Sequence, residues 1–417
     1  MFLRRILGGL LLLLAIMPAV AADTPAKVLT LREALAMARK ANPGLQAVRL
    51  HASAIQAGEI TAALHPNPVF TSASEDFNVF NPAKFDPISN QEFTNSLAWT
   101  VERGGKRTAR VQSARMATAV AQAGVNDGER QLDLQVELTF VNLLVNQETL
   151  RLAQENLRSY GQVIEGNRLR LQAGDISETE FDRVRIEEAR FQNDLLAART
   201  ALLQGRSQLA ALLGIADPAQ VAITGDLQPQ ALAQELGQLQ QAALASRPDY
   251  VAAQRSTAKA EADARLAQAN GATDVTISPE YKRNGPDNTL GVTFAVPLRI
   301  FDRNQGEKLR SRRDLESTRF AEQAARLQVL ADVQQAWDAY QAAVARQKLY
   351  HEDYLQRSET VLERMTFSYQ HGAASLLDYL DAVRSHRDVA LAAITADAQA
   401  LIALHQLSFA AATELLP

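Results

Sequence analysis

Period-two alternation marks two strand pairs in this chain. From Glu92 to Glu102, Phe93, Leu97, Trp99 and Val101 fall on one face, with Asn95 the exception. Thr94, Ser96, Ala98, Thr100 and Glu102 fall on the other. From Thr289 to Leu298, Leu290, Val292, Phe294, Val296 and Leu298 alternate with Thr289, Gly291, Thr293, Ala295 and Pro297. Their partner candidates are Asn67–Asn78 and Asp274–Arg283. Alternation over about ten residues suits a membrane strand that is apolar toward lipid and polar toward a lumen. Two ordinary half-buried hairpins would carry the same pattern.

After each pair the apolar spacing lengthens to three and four. Val136, Phe140, Leu143, Gln147, Leu150, Gln154, Leu157, Gly161, Ile164 and Leu171 keep it, with a break at Arg168. Polar and small residues dilute this seam, which suits helices packed side by side in a curved wall better than a dry two-stranded coiled coil. Proline, which breaks helix interiors, is absent between Pro87 and Pro218 and again between Pro297 and Pro417. The pattern predicts a helix from Gly104 to about Leu171, roughly 100 Å long at ~1.5 Å per residue. An antiparallel helix from Ser177 to about Leu213 follows the turn Gly174-Asp175-Ile176-Ser177. Later come a helix from Phe320 to about Gln370, a turn at His371-Gly372-Ala373-Ala374-Ser375, and a helix from Leu376 to about Thr413.

The second half repeats the first in order. Aligning Gly174 with Gly372 also pairs Gln172 with Gln370, Ser177 with Ser375, Glu180 with Asp378 and Phe181 with Tyr379. Shorter helices, Gly44–Leu64 and Asp249–Asn270, open the halves. The expected organisation is a leader at 1–22, a first repeat at 23–213, a crossover or equatorial segment at 214–241, and a second repeat at 242–417.

The leader expectation rests on Arg4 and Arg5 before the apolar run Ile6–Val20, with small residues at Ala19, Ala21 and Ala22. That is the layout of a secretory signal peptide, and it predicts a mature start at Ala22 or Asp23. With no cysteine in the chain, a lipidated N-terminal cysteine is excluded. After residue 22 no apolar run approaches the ~20 residues of a spanning helix, so membrane attachment would come through strands. A formal net charge of -4 gives no electrostatic case for a nucleic-acid partner.

Four strands cannot close a membrane barrel, which starts at about eight, and lipid does not tolerate an open sheet edge. Three chains would supply twelve strands and a continuous helical wall. Asp378 and Asp381 lie about one helical turn apart and share a face. In a trimer they would place six carboxylates around one aperture near Gly372, a ring of the kind that binds cations in pores. Two solvated surface acids are the simpler reading. Gly174 and Gly372 suit tight turns that need positive φ.

Several segments together carry a family resemblance. They are the helix opening Asn42-Pro43, Trp99-Thr100-Val101-Glu102-Arg103-Gly104-Gly105-Lys106-Arg107, and Val296-Pro297-Leu298-Arg299-Ile300-Phe301-Asp302-Arg303-Asn304-Gln305-Gly306. Phe367-Ser368-Tyr369-Gln370-His371-Gly372 and Leu377-Asp378-Tyr379-Leu380-Asp381-Ala382 complete the set. Over essentially its whole mature length the chain resembles the outer-membrane efflux (TolC) family, and its Gly-Gly-Lys-Arg and Phe-Asp-Arg-Asn-Gln-Gly segments resemble the cobalt–zinc–cadmium branch. The resemblance implies a homotrimer, with a 12-stranded β-barrel in the outer membrane continued by a 12-helix periplasmic α-barrel. It also implies a periplasmic adaptor and an inner-membrane resistance–nodulation–division pump as partners, with the turns at Gly174 and Gly372 as the docking tips.

In the family the aspartates matching Asp378 and Asp381 line the closed periplasmic entrance, and Tyr369 matches a latch tyrosine. Glu180 sits where its acidic partner lies, so a Tyr369–Glu180 hydrogen bond is expected. Ala374 replaces the family's latch arginine, leaving Arg183 or Arg384 to substitute. The six histidines show no ligand spacing, and no cofactor, catalytic or metal-ligand motif is present. The function expected is a passive exit duct for divalent heavy-metal cations. A drug-efflux or type I secretion duct is the alternative within the architecture, and a soluble periplasmic coiled-coil adaptor the alternative outside it.

Overall fold

The computed structural model describes residues 28–76, 91–228 and 232–415. The expected leader, and Pro87, Pro229 and Pro417, lie outside them. The chain begins with β1 (Val28–Leu29), α1 (Leu31–Ala41), α2 (Pro43–Ala63), β2 (Val69–Glu75) and β3 (Glu92–Val101), then the hairpin α3 (Lys106–Ala173) and α4 (Glu178–Leu213). After β4 (Ala222–Ile223) the same order returns: α5 (Leu236–Ser246), α6 (Pro248–Ala269), β5 (Val275–Asn284), β6 (Asp287–Ala295) and α7 (Gln305–Leu349). A single π turn, Tyr350–Tyr354, joins α7 to α8 (Leu355–Gln370), and α9 (Leu376–Ala411) closes the second hairpin.

One antiparallel sheet forms from both halves, in the order β2-β3-β5-β6. Its register sorts the side chains cleanly. Phe70 opposes Leu97, Trp99 opposes Ile277, Ile277 opposes Phe294, Pro279 opposes Val292, and Tyr281 opposes Leu290. These lie on one face. The other carries Ser96 opposite Glu280, Thr94 opposite Lys282, and a Lys282–Glu92 ion pair. The β3–β5 ladder skips Leu97 and Ala98, where Pro279 has no N–H to donate. For the same reason β6 stops at Ala295 rather than running to Leu298, because Pro297 follows. Among the described residues of one chain, the outer edges of β2 and β6 are unpaired.

The helices run as the spacing predicts, with two differences. α7 starts at Gln305, not Phe320. Its first turns carry no apolar stripe and are braced by exposed i,i+3 pairs, Arg310–Glu307 at 2.7 Å and Arg313–Glu316 at 2.6 Å, so hydrophobic spacing does not reveal them. The second difference is the π turn. Gln347 and His351, at its edge, both reach Asp397 of α9, at 2.9 and 2.8 Å.

α1 and α5 were not expected, and α5 runs across the expected junction at 241/242. Each packs over a long hairpin. α1 joins β1 and β4 in a core with Val136, Phe140, Leu143 and Leu209, while α5 packs Leu239 and Ala243 against Val329, Val333, Leu404 and Leu407. By length and composition α9 could cross a membrane. Its apolar residues instead fill both of these cores, and it carries the buried polar residues Asp397 and His405.

Candidate functional site

Both hairpins turn at the end far from the sheet, and they turn alike. Gly174 (φ 82°) and Gly372 (φ 71°) take the left-handed conformation. An added Cβ would meet nothing within 4 Å at either, so backbone angle rather than space selects glycine. Ser177 and Ser375 then cap α4 and α9, each in a reciprocal box with the acid three residues on. Glu180 Oε2 accepts from Ser177 N at 3.0 Å, and Asp378 Oδ2 accepts from Ser375 Oγ at 2.7 Å. Glu180 and Asp378 are thus N-terminal helix caps.

Behind the turns the two hairpins close on an aromatic core of Tyr160, Val184, Phe191, Tyr369, Tyr379 and Leu380. Ala374 packs against its edge. Tyr369 stacks on Tyr379 at 5.0 Å between ring centres, and Tyr160 packs on Phe191 at 4.7 Å. Burial pushes the Tyr379 phenol up to about 12, with Tyr369 adding to it. Tyr160 is also pushed up by burial, and its hydroxyl donates to the Val184 carbonyl at 3.0 Å.

The Tyr369–Glu180 bond expected from the resemblance is not formed. Tyr369 donates instead to Asn167 Oδ1 at 2.6 Å. Asn167 is 3% exposed, and its amide donates to the Val163 carbonyl one turn back, which fixes the amide's orientation. Glu180 is already engaged by Ser177, whose backbone and hydroxyl bonds hold its carboxyl below the usual range.

Of the two substitute arginines, Arg384 is the one that bridges the hairpins. It donates two bonds, at 3.0 and 2.6 Å, to Glu187 of α4, which is 4% exposed. These bonds hold the Glu187 carboxyl below the usual carboxylate range. Arg387 adds a 3.2 Å bond to Asp194 one turn further along. Arg183 makes no side-chain ion pair among the described residues, and it acts on Glu180 only through its field. Arg170 lies 5.2 Å from the Tyr369 ring, with Nη1 buried and without a hydrogen-bond partner in the single chain.

Asp381 is exposed on α9, one turn beyond Asp378 and one turn before Arg384, whose cationic form it favours. The two aspartates therefore share an exposed face, with Asp378 also serving as a cap. Among the described residues no three His, Cys, Asp or Glu side chains come close enough to hold a metal ion.

Sequence spacing missed Asn167, Glu187 and Asp194. One signal was present: the seam breaks at Arg168 because it passes through Tyr160, Val163 and Asn167 instead, where a polar side chain sits among buried apolar ones.

A model of the family described as outer membrane efflux protein matches residues 34–215 and 239–413. The chain is 27% identical over 363 residues to the cobalt-zinc-cadmium resistance protein CzcC of Cupriavidus metallidurans, covering 86% of this chain and 84% of that one. It is 25% identical over 307 residues to the nickel and cobalt resistance protein CnrC of the same organism, covering 72% and 70%. The solved structure of CusC, described in terms of conformational changes accompanying folding and transmembrane channel formation, matches with a TM-score of 0.76 at 17% identity, over 91% of each chain. With both hairpins and both strand pairs inside the matched segments, the chain belongs to the outer membrane efflux protein family.

Proposed function

We propose that this protein is the outer-membrane exit duct of a tripartite efflux pump and that it conducts divalent heavy-metal cations passively from periplasm to exterior. The observation that carries the reading is the sheet. Among the described residues it has an apolar face, a polar face and two unpaired edges, and such a sheet is stable in lipid only when other strands close it. Three chains close it as a 12-stranded barrel, and their hairpins continue it as a 12-helix tube. The matching order of elements in the two halves reflects an internal duplication that gives each chain two hairpins and two strand pairs.

The metal cargo rests on the likeness to CzcC and CnrC. Selectivity belongs to the inner-membrane pump, and the duct itself is not an enzyme. Residues 1–22 direct export and are removed. The turns at Gly174 and Gly372 present the tips to a periplasmic adaptor. Asp378 and Asp381 from three chains ring the aperture at those tips, and the Tyr369–Asn167 and Arg384–Glu187 ties hold it shut.

A deletion strain challenged with zinc, cobalt, cadmium, copper and a panel of drugs tests the cargo. Sensitivity to divalent metals alone, reversed by the plasmid-borne gene, is expected. Sensitivity to drugs alone would transfer the protein to the drug-efflux reading. Aperture and latch are separable in planar bilayers. Asp378→Asn with Asp381→Asn removes divalent-cation block of conductance if the ring exists, and unchanged block would reject it.

A further inference from the structure

The two junctions between sheet and helices differ in how the cations of their first helical turns are engaged. At the start of α3 every cation of the helix's first turns is engaged. Lys106 pairs with Asp274 at 2.6 Å, Arg107 donates to the Ala63 carbonyl at 2.6 Å, and Arg110 bonds Glu102 at 2.7 Å as well as the carbonyls of Ala62 and Leu64. These residues fasten strand to helix.

At the start of α7, Arg310 and Arg313 are paired with Glu307 and Glu316, but the cations that face α6 are not paired. Arg303, Lys308 and Arg312, and Arg265 facing them from α6, make no side-chain hydrogen bond or ion pair among the described residues. Arg265, Lys308 and Arg312 line a shallow groove of about 380 Å³ between α6 and α7 whose only acid is Glu261, already bonded to Arg319 at 3.2 Å. The Lys308 ammonium lies in the notch left by Gly271, where any Cβ would collide with it.

Exposed apolar side chains lead from the sheet into α7, the helix that forms one wall of this groove. Leu298 continues the alternation of the apolar face of β6, and Ile300 and Phe301 follow it, with Phe301 90% exposed. A free cationic groove beside an exposed Leu-x-Ile-Phe segment, at the rim of an apolar sheet face, is the composition of a membrane interface.

We propose that this groove binds the phosphate of an anionic phospholipid in the periplasm-facing leaflet of the outer membrane. Arg265, Lys308 and Arg312 hold the phosphate, while Ile300 and Phe301 insert among the acyl chains. The proposal rests on the duct reading, because it needs the sheet to lie in lipid. It also needs the groove to lie on the outside of the tube. Arg265 shares a face of α6 with Tyr250, the face that α5 covers near the other end. A duct must keep its lumen clear, so the face covered by α5 is the outer one.

Among the groove's own cations depth agrees with charge pairing, while Arg310 and Arg313, outside its lining, are paired with Glu307 and Glu316. At ~1.5 Å per residue, Lys308 and Arg312 lie about 5 and 10 Å below the start of α7, within reach of a headgroup layer roughly 5–7 Å thick. Arg319, about 21 Å below by the same rise, is out of reach, and it is the one paired with an acid.

Native mass spectrometry of the detergent-purified full-length protein tests this, with phosphatidylglycerol and phosphatidylcholine added separately. The wild type is expected to retain phosphatidylglycerol at least tenfold better. Lys308→Gln with Arg312→Gln is expected to bring the two lipids to near parity, since each cation at an anionic surface contributes about fivefold. Arg319→Gln should leave the preference unchanged, and Phe301→Ser should weaken retention of both lipids. Equal retention by the wild type, or a preference that survives the double substitution, overturns the proposal. So does displacement of the lipid by millimolar inorganic phosphate, which would mark a free-anion site. If the double variant fails to assemble, Arg312→Gln alone, at an exposed position, gives the same comparison with about a fivefold loss. A wild type that never assembles beyond one chain would defeat the duct reading whatever lipid it retains.

Discussion

The two ends of this molecule handle their polar groups in opposite ways. At the sheet end, strand edges stay unpaired among the described residues and large apolar side chains such as Trp99, Leu290 and Phe294 are exposed. At the tip end, Tyr369 and Asn167, Glu187 and Arg384, and Tyr160 and the Val184 carbonyl satisfy one another across or within the hairpins. Within one chain the sheet ends at β2 and β6, whereas the tip's polar groups are matched by the same chain. Under the proposed duct, assembly falls to the sheet and opening to the tip.

The largest effect should come from charging the outward face of the sheet. Val292→Arg puts a cation midway along β6 on the apolar side, at a cost of about 2–4 kcal/mol per chain in lipid. Thr293→Arg, on the polar side, should assemble almost normally. Heat-modifiable trimer on gels is the readout, and equal losses would erase the difference between the faces.

At the tip, Glu187→Gln weakens the tie to Arg384 and should cost about 2 kcal/mol, the scale of hydrogen bonds to charged groups. A lowered thermal midpoint and a higher conductance of the isolated duct are expected together. Acid should do the same reversibly. The Glu187 carboxyl is held low in the folded chain, so its contribution is complete above the unfolded value of about 4.3. It is lost as pH falls through the lower folded value. Between pH 5 and 3 the wild type should therefore lose more stability than Glu187→Gln does, and parallel curves would reject the tie.

Tyr369→Phe leaves the Asn167 carbonyl oxygen buried without its donor and should cost about 1 kcal/mol, again with easier opening. Glu180→Ala should have the smallest effect of all, limited to fraying the first turn of α4. If Glu180→Ala opened the duct more than Tyr369→Phe, the latch would involve Glu180 after all.

Much of this was legible in the chain because two periodicities and proline placement dictate it. Leu290, Val292 and Phe294 announce a two-faced strand, and Lys106–Ala173 is long because nothing in it breaks a helix. The start of α7 was not legible, because charge pairs rather than an apolar stripe support it. Nor were the ties at the tip. Tyr369 stands out in the sequence, but its partner lies 202 positions away, and the choice between Glu180 and Asn167 depends on which is buried. Glu180 looks like a partner in sequence because it stands beside a turn, and that is also why its own cap consumes it. Glu187 resembles any helix-surface acid until Arg384 is brought over it.

The central claim is that one chain cannot enclose a pore and that several must pool their strands. The native mass of the detergent-purified protein tests this most directly. Three chains per particle, dissociating only on heating, is the predicted result. A monodisperse single chain, or a protein that stays monomeric in buffer without detergent, would contradict it.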